Sequence, residues 1–297
     1  MATFSTYDQV GKAEDVQDLI TDISPTDTPM YTMIKPQKVH ARVYEYMQDS
    51  LAAAADNKAV EGADPTMATL SPTTMLTGNT QIMTKAFQVS ATADAIKTYG
   101  RAKETAYQLG KALKELKRDI EFAYVGQDNA KVTGSSSVAR EMDSASKLID
   151  STTTFDAGSG ATDPLTEAKL LDAHEALYNA GGDASILMIK PSDSEVVASF
   201  TGAAGRTRNF NDGVTTLTNA VNVMVNAYGT LKVVLNRHQM STHAFLLDPT
   251  MWRSAVLRPT SRTLLSKTGD SDKHFCVYEG GLMHLNKKAS AQITGLS

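Results

Sequence analysis

Two segments read as β-strands, Val39–Met47 (VHARVYEYM) and Gln81–Thr92 (QIMTKAFQVSAT), and the stretch between them offers little to bury. Both flanking runs combine β-branched and aromatic residues with partial alternation. The intervening SLAAAADNKAVEGADPTMATLSPTTMLTGN, about 30 residues, carries turn signals at Glu61-Gly62, Asp64-Pro65, Ser71-Pro72 and Gly78-Asn79. Loops of that length are uncommon inside compact domains and mark a functional excursion or disorder. A long two-stranded arm is marginal in isolation and needs a surface to lie on. The chain therefore carries either a flexible surface loop or an arm that something else covers.

The remaining pattern supplies a body for such an arm. Arg101–Val125 is the strongest helix signal: Leu109, Leu113, Leu116, Ile120 and Ala123 follow spacings of 4, 3, 4 and 3 along one face. Good helix formers fill the other positions and Gly126 ends the run. At about 1.5 Å per residue it would run roughly 40 Å. A one-sided stripe must lie across something, and the C-terminal strand signals provide a sheet: His243–Leu247, Ala255–Leu257, His274–Tyr278, Leu282–Leu285 and Ala289–Ile293. Low-complexity bridges at Gly134–Ser137 and Asp150–Asp163 put a lobe boundary near residue 160. Beyond it come a helix over Leu165–Asn179, a buried strand at Ser185–Ile189, and a helix from Pro191-Ser192 through Phe200. A polar loop at Gly202–Gly213 and a hairpin of Asn222–Ala227 with Leu231–Leu235 complete that lobe. The reading is an α+β protein with two lobes, an N-terminal arm and a projecting hairpin.

The N-terminal segment cannot fold alone. Lys12–Ile23 has one small stripe (Val16, Leu19, Ile20, Ile23) and stops at Ser24-Pro25-Thr26-Asp27-Thr28-Pro29, where prolines impose extended backbone. Residues 1–30 hold six acidic residues against Lys12, a net of −5, whereas residues 97–118 hold seven basic against two acidic, a net of +5. Either these are two solvated faces, or an acidic arm meets a basic helix in another copy of the chain.

Several classes are excluded early. At 297 residues the chain is ample for a core, and its single cysteine leaves no disulfide framework or cysteine-rich zinc site. No run approaches the roughly 20 apolar residues of a membrane span, and the first residues lack a basic-then-apolar signal, so synthesis in the cytosol and no membrane partner are expected. A net charge of −4 argues against a dedicated nucleic-acid binder.

Enzyme motifs break down on inspection. His174-Glu175 begins like a zincin signature, but Tyr178 occupies the second histidine's place. His274 and Cys276 share a strand face with His284 nearby, yet without a known ligand spacing. Gly158-Ser159-Gly160 and Gly202–Gly205 lack the strand-to-helix context of a nucleotide fingerprint, and Gly134-Ser135 lacks the second glycine of a nucleophile elbow. No carboxylate pair stands out. Arg206 and Arg208 suit either a phosphate or a neighbouring subunit, or are simply solvated. No catalytic, metal or cofactor residue is nominated.

Thr3-Phe4-Ser5-Thr6, Asp15–Ile20 and Ile23–Pro29 nevertheless resemble the start of a family of tailed-bacteriophage major capsid proteins. So do Glu61–Asp64 followed by Asn79–Ile82, the helix text from Gly100-Arg101 through Leu113–Glu121, Leu257-Arg258-Pro259 and Lys267–Asp270. The resemblance runs over nearly the whole chain and is weakest between about 130 and 220. It implies the Hong Kong 97-type fold: an N-arm (1–36), an E-loop hairpin and its base (37–92), a P-domain (93–160 and 244–297) with its spine helix at 101–125, and an A-domain (161–243). Subunit contacts would then come from Phe4, Asp15, Asp18, Pro25 and Pro29 in the arm, and from Glu61, Asp64 and Met67 in the E-loop. Arg101 and Lys114 of the spine helix and Arg206 and Arg208 of an A-domain loop complete the set.

The implied function is a head protein that self-assembles into an icosahedral or prolate shell around double-stranded DNA. Its expected partners are itself, in pentamers and hexamers, a separate scaffolding protein, a portal protein, DNA held without sequence-specific binding, and optional decoration proteins. A separate scaffold is expected because the arm begins at residue 1. Assembly is expected in the host bacterial cytoplasm and the product in the virion capsid. The alternative on the same fold is an encapsulin-like nanocompartment shell; a soluble enzyme with an unrecognised site is the alternative from another class.

Overall fold

The computed structural model describes residues 24, 26–62, 64, 67, 69–97, 103–158, 163–200 and 223–297. The expected Lys12–Ile23 helix, the 202–213 loop, and Phe4, Asp15, Asp18, Pro25, Arg101, Arg206 and Arg208 lie outside them.

The long helix, α3 (Glu104–Val125), follows the short α1 (Pro29–Met33) and α2 (Ala91–Ala95). It lies on a four-stranded sheet of order β1-β10-β11-β4, formed by β1 (Lys35–Lys38), β10 (Trp252–Leu264), β11 (Ser271–His284) and β4 (Gln81–Ser90). Leu116, Ile120 and Tyr124 of α3 are buried there against Cys276, Tyr278, Leu282 and Trp252. Each such apolar side chain contributes about 1.5–3 kcal/mol on leaving water. The stripe expected from the spacing holds only in its C-terminal half. Leu113 is exposed and Leu109 only half-buried, while Ala112 turns inward. The end of β4 leaves an open groove beneath the first turns of α3. Gly126 ends the helix in ordinary right-handed backbone. Glycine is required there by space: a Cβ would come within 2.6 Å of the His238 carbonyl.

A second sheet runs β5-β12-β9-β6-β8-β7. Its strands are β5 (Thr154–Asp156), β6 (Ile186–Ile189), β7 (Val223–Asn226), β8 (Gly229–Leu235), β9 (Ala244–Leu247) and β12 (Ala291–Thr294). β6 and β9 are buried on both faces. Ile186, Met188, Phe245 and Leu247 join the core beneath α3. Leu187, Ile189, Ala244 and Leu246 pack with Leu170 and Leu177 of α5 (Glu167–Asn179) and Val197 of α6 (Asp193–Ser199). The two sheets thus share a core, and the second takes in strands from both sides of residues 161–243.

Two expectations need correction. Residues 81–92 are not the returning strand of the hairpin. That strand is β3 (Thr74–Asn79), which pairs antiparallel with β2 (Val43–Gln48) from Val43↔Asn79 to Gln48↔Thr74. β4 instead pairs with β11 over ten positions. Thr74–Asn79 (TMLTGN) lacks β-branched density and ends in Gly-Asn, so it reads as loop until its partner strand supplies the pairing. Likewise Ala255–Leu257, His274–Tyr278 and Leu282–Leu285 are parts of just two long strands. Pro259 and Gly280-Gly281 look like breaks, but β10 absorbs its irregularity at register shifts between Val256 and Ser261.

Candidate assembly surfaces

The hairpin β2–β3 sits on the face of the four-stranded sheet opposite α3, held by Tyr44. Its ring is 5% exposed and its hydroxyl donates to the Leu282 carbonyl at 2.7 Å. Burial pushes the Tyr44 hydroxyl well above the ordinary tyrosine range. Two glycines make room for the ring. A Cβ at Gly78 would approach it to 2.4 Å, and one at Gly281 would meet the Tyr44 hydroxyl at 2.6 Å. Below it, Thr80 is fully buried, its amide donating to the Arg42 carbonyl at 2.8 Å and its hydroxyl to Glu279 at 3.3 Å. Glu279 also accepts from Arg140 and from Arg258 Nε at 2.6 Å. Both cations leave the carboxylate no unpaired buried charge, the condition under which such a pair holds its place. Gln48 donates to Asn286 at 2.9 Å, and Lys131 donates to the Thr77 hydroxyl at 2.6 Å.

Beyond Gln48 and Thr74 the picture inverts. The described polar contacts of residues 49–73 are local or return to the adjoining ladder: Ser50 N–H to Asp49, Lys58 to Asp56, and Thr73 hydroxyl to Met47 sulfur. Leu51, Val60, Met67 and Leu70 are 79–98% exposed. Glu61 and Gly62 form a turn, with Gly62 at φ +81°, and Asp64 is exposed close by. The predicted contact residues Glu61, Asp64 and Met67 therefore all sit on this exposed tip.

A second surface is the outward side of α3, where Lys103, Lys111, Lys114 and Lys117 are exposed together with Leu113. No side chain of its own first residue caps this helix; Asp94 of α2 accepts the Thr105 N–H at 3.0 Å instead. That hydrogen bond draws the Asp94 carboxyl below its ordinary pKa. Pro29 is the first residue of α1, where its missing N–H costs nothing. The free N–H groups of Met30 and Tyr31 are taken by the carboxylate of Glu121, at 2.9 and 2.8 Å. Asn236, after β8, donates to the same group at 2.6 Å. Glu121 is fully buried, and burial raises its pKa against the opposing pull of these three donors. It fastens the point where the N-terminal segment reaches the body.

Sequence reasoning missed Tyr44, Glu121 and the aliphatics Leu51 and Leu70. A signal for Glu121 exists: it is a charged residue flanked by Ile120, Ala123, Tyr124 and Val125 on the inward side of the helix. The histidines considered for metal are packed elsewhere. His174 takes a hydrogen bond from the Asn226 amide at 2.8 Å, and His284 stacks on Trp252 at 4.0 Å. Among the described residues no group of three or more His, Cys, Asp or Glu is arranged to hold a metal ion, and no helix is long and apolar enough to cross a membrane.

Comparison with known proteins identifies the kind of subunit that carries these surfaces. The chain is 28% identical to the major capsid protein of Escherichia phage Phieco32, over 97% of this chain and 95% of that protein. Its fold matches the solved capsid of a native GTA particle with a TM-score of 0.66 at 10% identity, over 97% and 96% of the two chains. A solved chain from Microbacterium phage Oxtober96 matches with a TM-score of 0.65 at 13% identity, over 99% of both. An encapsulin complex from Synechococcus elongatus PCC 7942 matches less well, with a TM-score of 0.58 at 9% identity, over 100% of this chain and 97% of that one. The architecture is the Hong Kong 97-type capsid fold. The family model for the SU10 major capsid protein matches residues 2–297, so the chain belongs to that family of structural capsid proteins, which is not a family of enzymes.

Proposed function

We propose that this tailed-phage capsid subunit builds the virion shell chiefly through its arms, with the β2–β3 hairpin lying over a neighbouring copy. The observation that carries this reading is the contrast within the hairpin: a root buried against its own chain through Tyr44 and Thr80, and a tip whose large aliphatics are almost wholly exposed. Apolar groups left in water on a subunit with a closed core are the mark of an interface. Broad, individually modest contacts between copies multiply through avidity when arms cross neighbours. In this reading the hairpin is the E-loop, α3 the spine helix of the P-domain, and residues 161–243 the A-domain, whose loop residues Arg206 and Arg208 meet neighbours around the axes of pentamers and hexamers. The acidic segment, through Phe4, Asp15 and Asp18, docks on basic surface such as Lys114 of another copy.

A separate scaffolding protein, a portal protein and packaged double-stranded DNA are the further partners, and assembly takes place in the host bacterial cytoplasm. DNA is enclosed without sequence-specific contacts, consistent with a chain of net charge −4. The encapsulin reading differs in its partner, an enzyme cargo in place of a portal and genome; genes for portal and terminase beside this one decide between them. The central test replaces residues 50–72 by a short turn. The variant is expected to remain a folded subunit by circular dichroism, yet to give no stable shells by size-exclusion chromatography and negative-stain microscopy. Normal shells from that variant would overturn the role given to the hairpin.

A further inference from the structure

We propose that Lys131 and Gln48 are positioning residues that set the angle at which the hairpin leaves the subunit, with limited play about a fixed foot. The proposal rests on the preceding reading for the use of that angle, in an arm that meets copies presented differently around pentamers and hexamers. Among the described residues no ladder joins the hairpin to the body, since β2 and β3 form a sheet of their own. The chain crosses from β3 to β4 in a single residue, Thr80, and from β1 to β2 through residues 39–42. The bearing of the hairpin on the body therefore depends on side chains. Tyr44 and Thr80 are the foot, and both are buried. Two further attachments lie outside it.

The first is at β3, where the exposed Lys131 donates to the Thr77 carbonyl and hydroxyl at 2.5 and 2.6 Å. The segment that carries Lys131 is itself tied down. Its N–H donates to Asp143 at 2.8 Å, Val132 and Glu141 exchange two backbone hydrogen bonds at 3.1 Å, and Arg140 reaches the buried Glu279. The second attachment is at the far end of β2, where Gln48 donates to Asn286 at 2.9 Å and accepts from the Lys287 N–H at 3.4 Å. Asn286 is fixed by its own turn, its carbonyl accepting from the Ala289 N–H at 3.0 Å and its side chain from the Lys288 N–H at 3.1 Å. Each attachment is thus rigid at the body end. Both stay accessible to water, which competes for the hydrogen bonds, so either can be released at little cost. Lysine suits such a stay, because a flexible stem with three rotatable donors holds the arm while letting it move. A buried foot with two accessible stays gives an arm that turns about one point.

Nitroxide labels at Met75→Cys on β3 and Lys114→Cys on α3 test this, with their separation read by double electron–electron resonance in the unassembled full chain. The native Cys276 is fully buried and takes no label. One narrow distance distribution is expected for the labelled parent. Lys131→Met, which keeps the stem and loses the donors, should widen it about twofold, and Lys131→Arg should restore it. Gln48→Ala should widen it too, and both substitutions together more than either alone. The subunit's melting temperature should fall less than with Tyr44→Phe, which separates positioning from a structural role. Distributions unchanged in both Lys131→Met and Gln48→Ala overturn the proposal, as does a melting loss equal to that of Tyr44→Phe. Shells of Lys131→Met should be less uniform in diameter by negative stain, and uniform shells would overturn the use given to the angle. The distances are read before assembly, so failure of the hairpin-replacement test would overturn the preceding reading and leave the two stays standing.

Discussion

The root and the tip of one hairpin, separated by only a few residues, obey opposite rules. At the root, Tyr44 fills a slot cut by Gly78 and Gly281, and the buried Thr80 and Glu279 are closed over by Arg140 and the exposed Arg258. At the tip, side chains of the same apolar character lie in water. The difference teaches that the energetics of the subunit fix the arm at its root and leave its tip without a cover among the described residues. Damage at the root should therefore be read in the stability of the isolated subunit, and damage at the tip only in assembly.

The strongest way to break that contrast is Tyr44→Ala, which empties the slot beside Gly78 and Gly281. A loss of about 3–5 kcal/mol is expected in chemical denaturation of the subunit. A loss under about 1 kcal/mol would mean that the root is as dispensable to the subunit as the tip. Acid should have the next largest effect, through His284 at the end of β11. Burial, helped by nearby Lys287, pushes its pKa down to about 4, against the opposing hydrogen bond to the Leu148 carbonyl. The unfolded chain takes up a proton near pH 6.5 and the folded chain does not until about pH 4. The stability conferred by the neutral ring is therefore complete above pH 6.5 and declines as pH falls toward 4, by about 3 kcal/mol in all. Denaturation midpoints between pH 7 and 4 check this, and His284→Gln should lose one proton's worth of the slope.

Smaller still, Tyr44→Phe removes only the hydrogen bond to the Leu282 carbonyl and should cost about 1 kcal/mol. Leu70→Ser, at the tip, should change subunit stability by less than about 0.5 kcal/mol while reducing shell yield. A tip substitution that lowers the subunit's melting temperature as much as Tyr44→Phe does would erase the distinction between the two regions.

Much of the architecture was legible because it is periodic. The 4-3-4-3 spacing found the long helix, whose start at Glu104 lies three residues from the expected one, and Ser185–Ile189 read as a buried strand because every residue of β6 is enclosed. The misreadings came from non-local causes. Thr74–Asn79 becomes a strand only because Val43–Gln48 lies opposite it, and Leu113 is left exposed while its neighbour Ala112 turns inward. Pairing partners separated by 25 residues or more leave no local trace. The arm was inferred from the absence of anything to bury, which located its tip but not its anchor. Tyr44 looked like one more strand aromatic, and its special position depends on glycines 34 and 237 residues further along the chain.

Glu121 has a mechanical consequence. Its two carboxylate oxygens serve α1, through Met30 and Tyr31, and the end of β8, through Asn236. A pull along the chain that precedes Thr28 therefore does not stop at a five-residue helix. It passes through one side chain into the longest rigid element of the subunit and onward to the second sheet. Tension arriving along that segment would be shared across the whole body, since peeling α1 away requires breaking both of its hydrogen bonds to Glu121 together, while the third, from Asn236, holds the carboxylate in place.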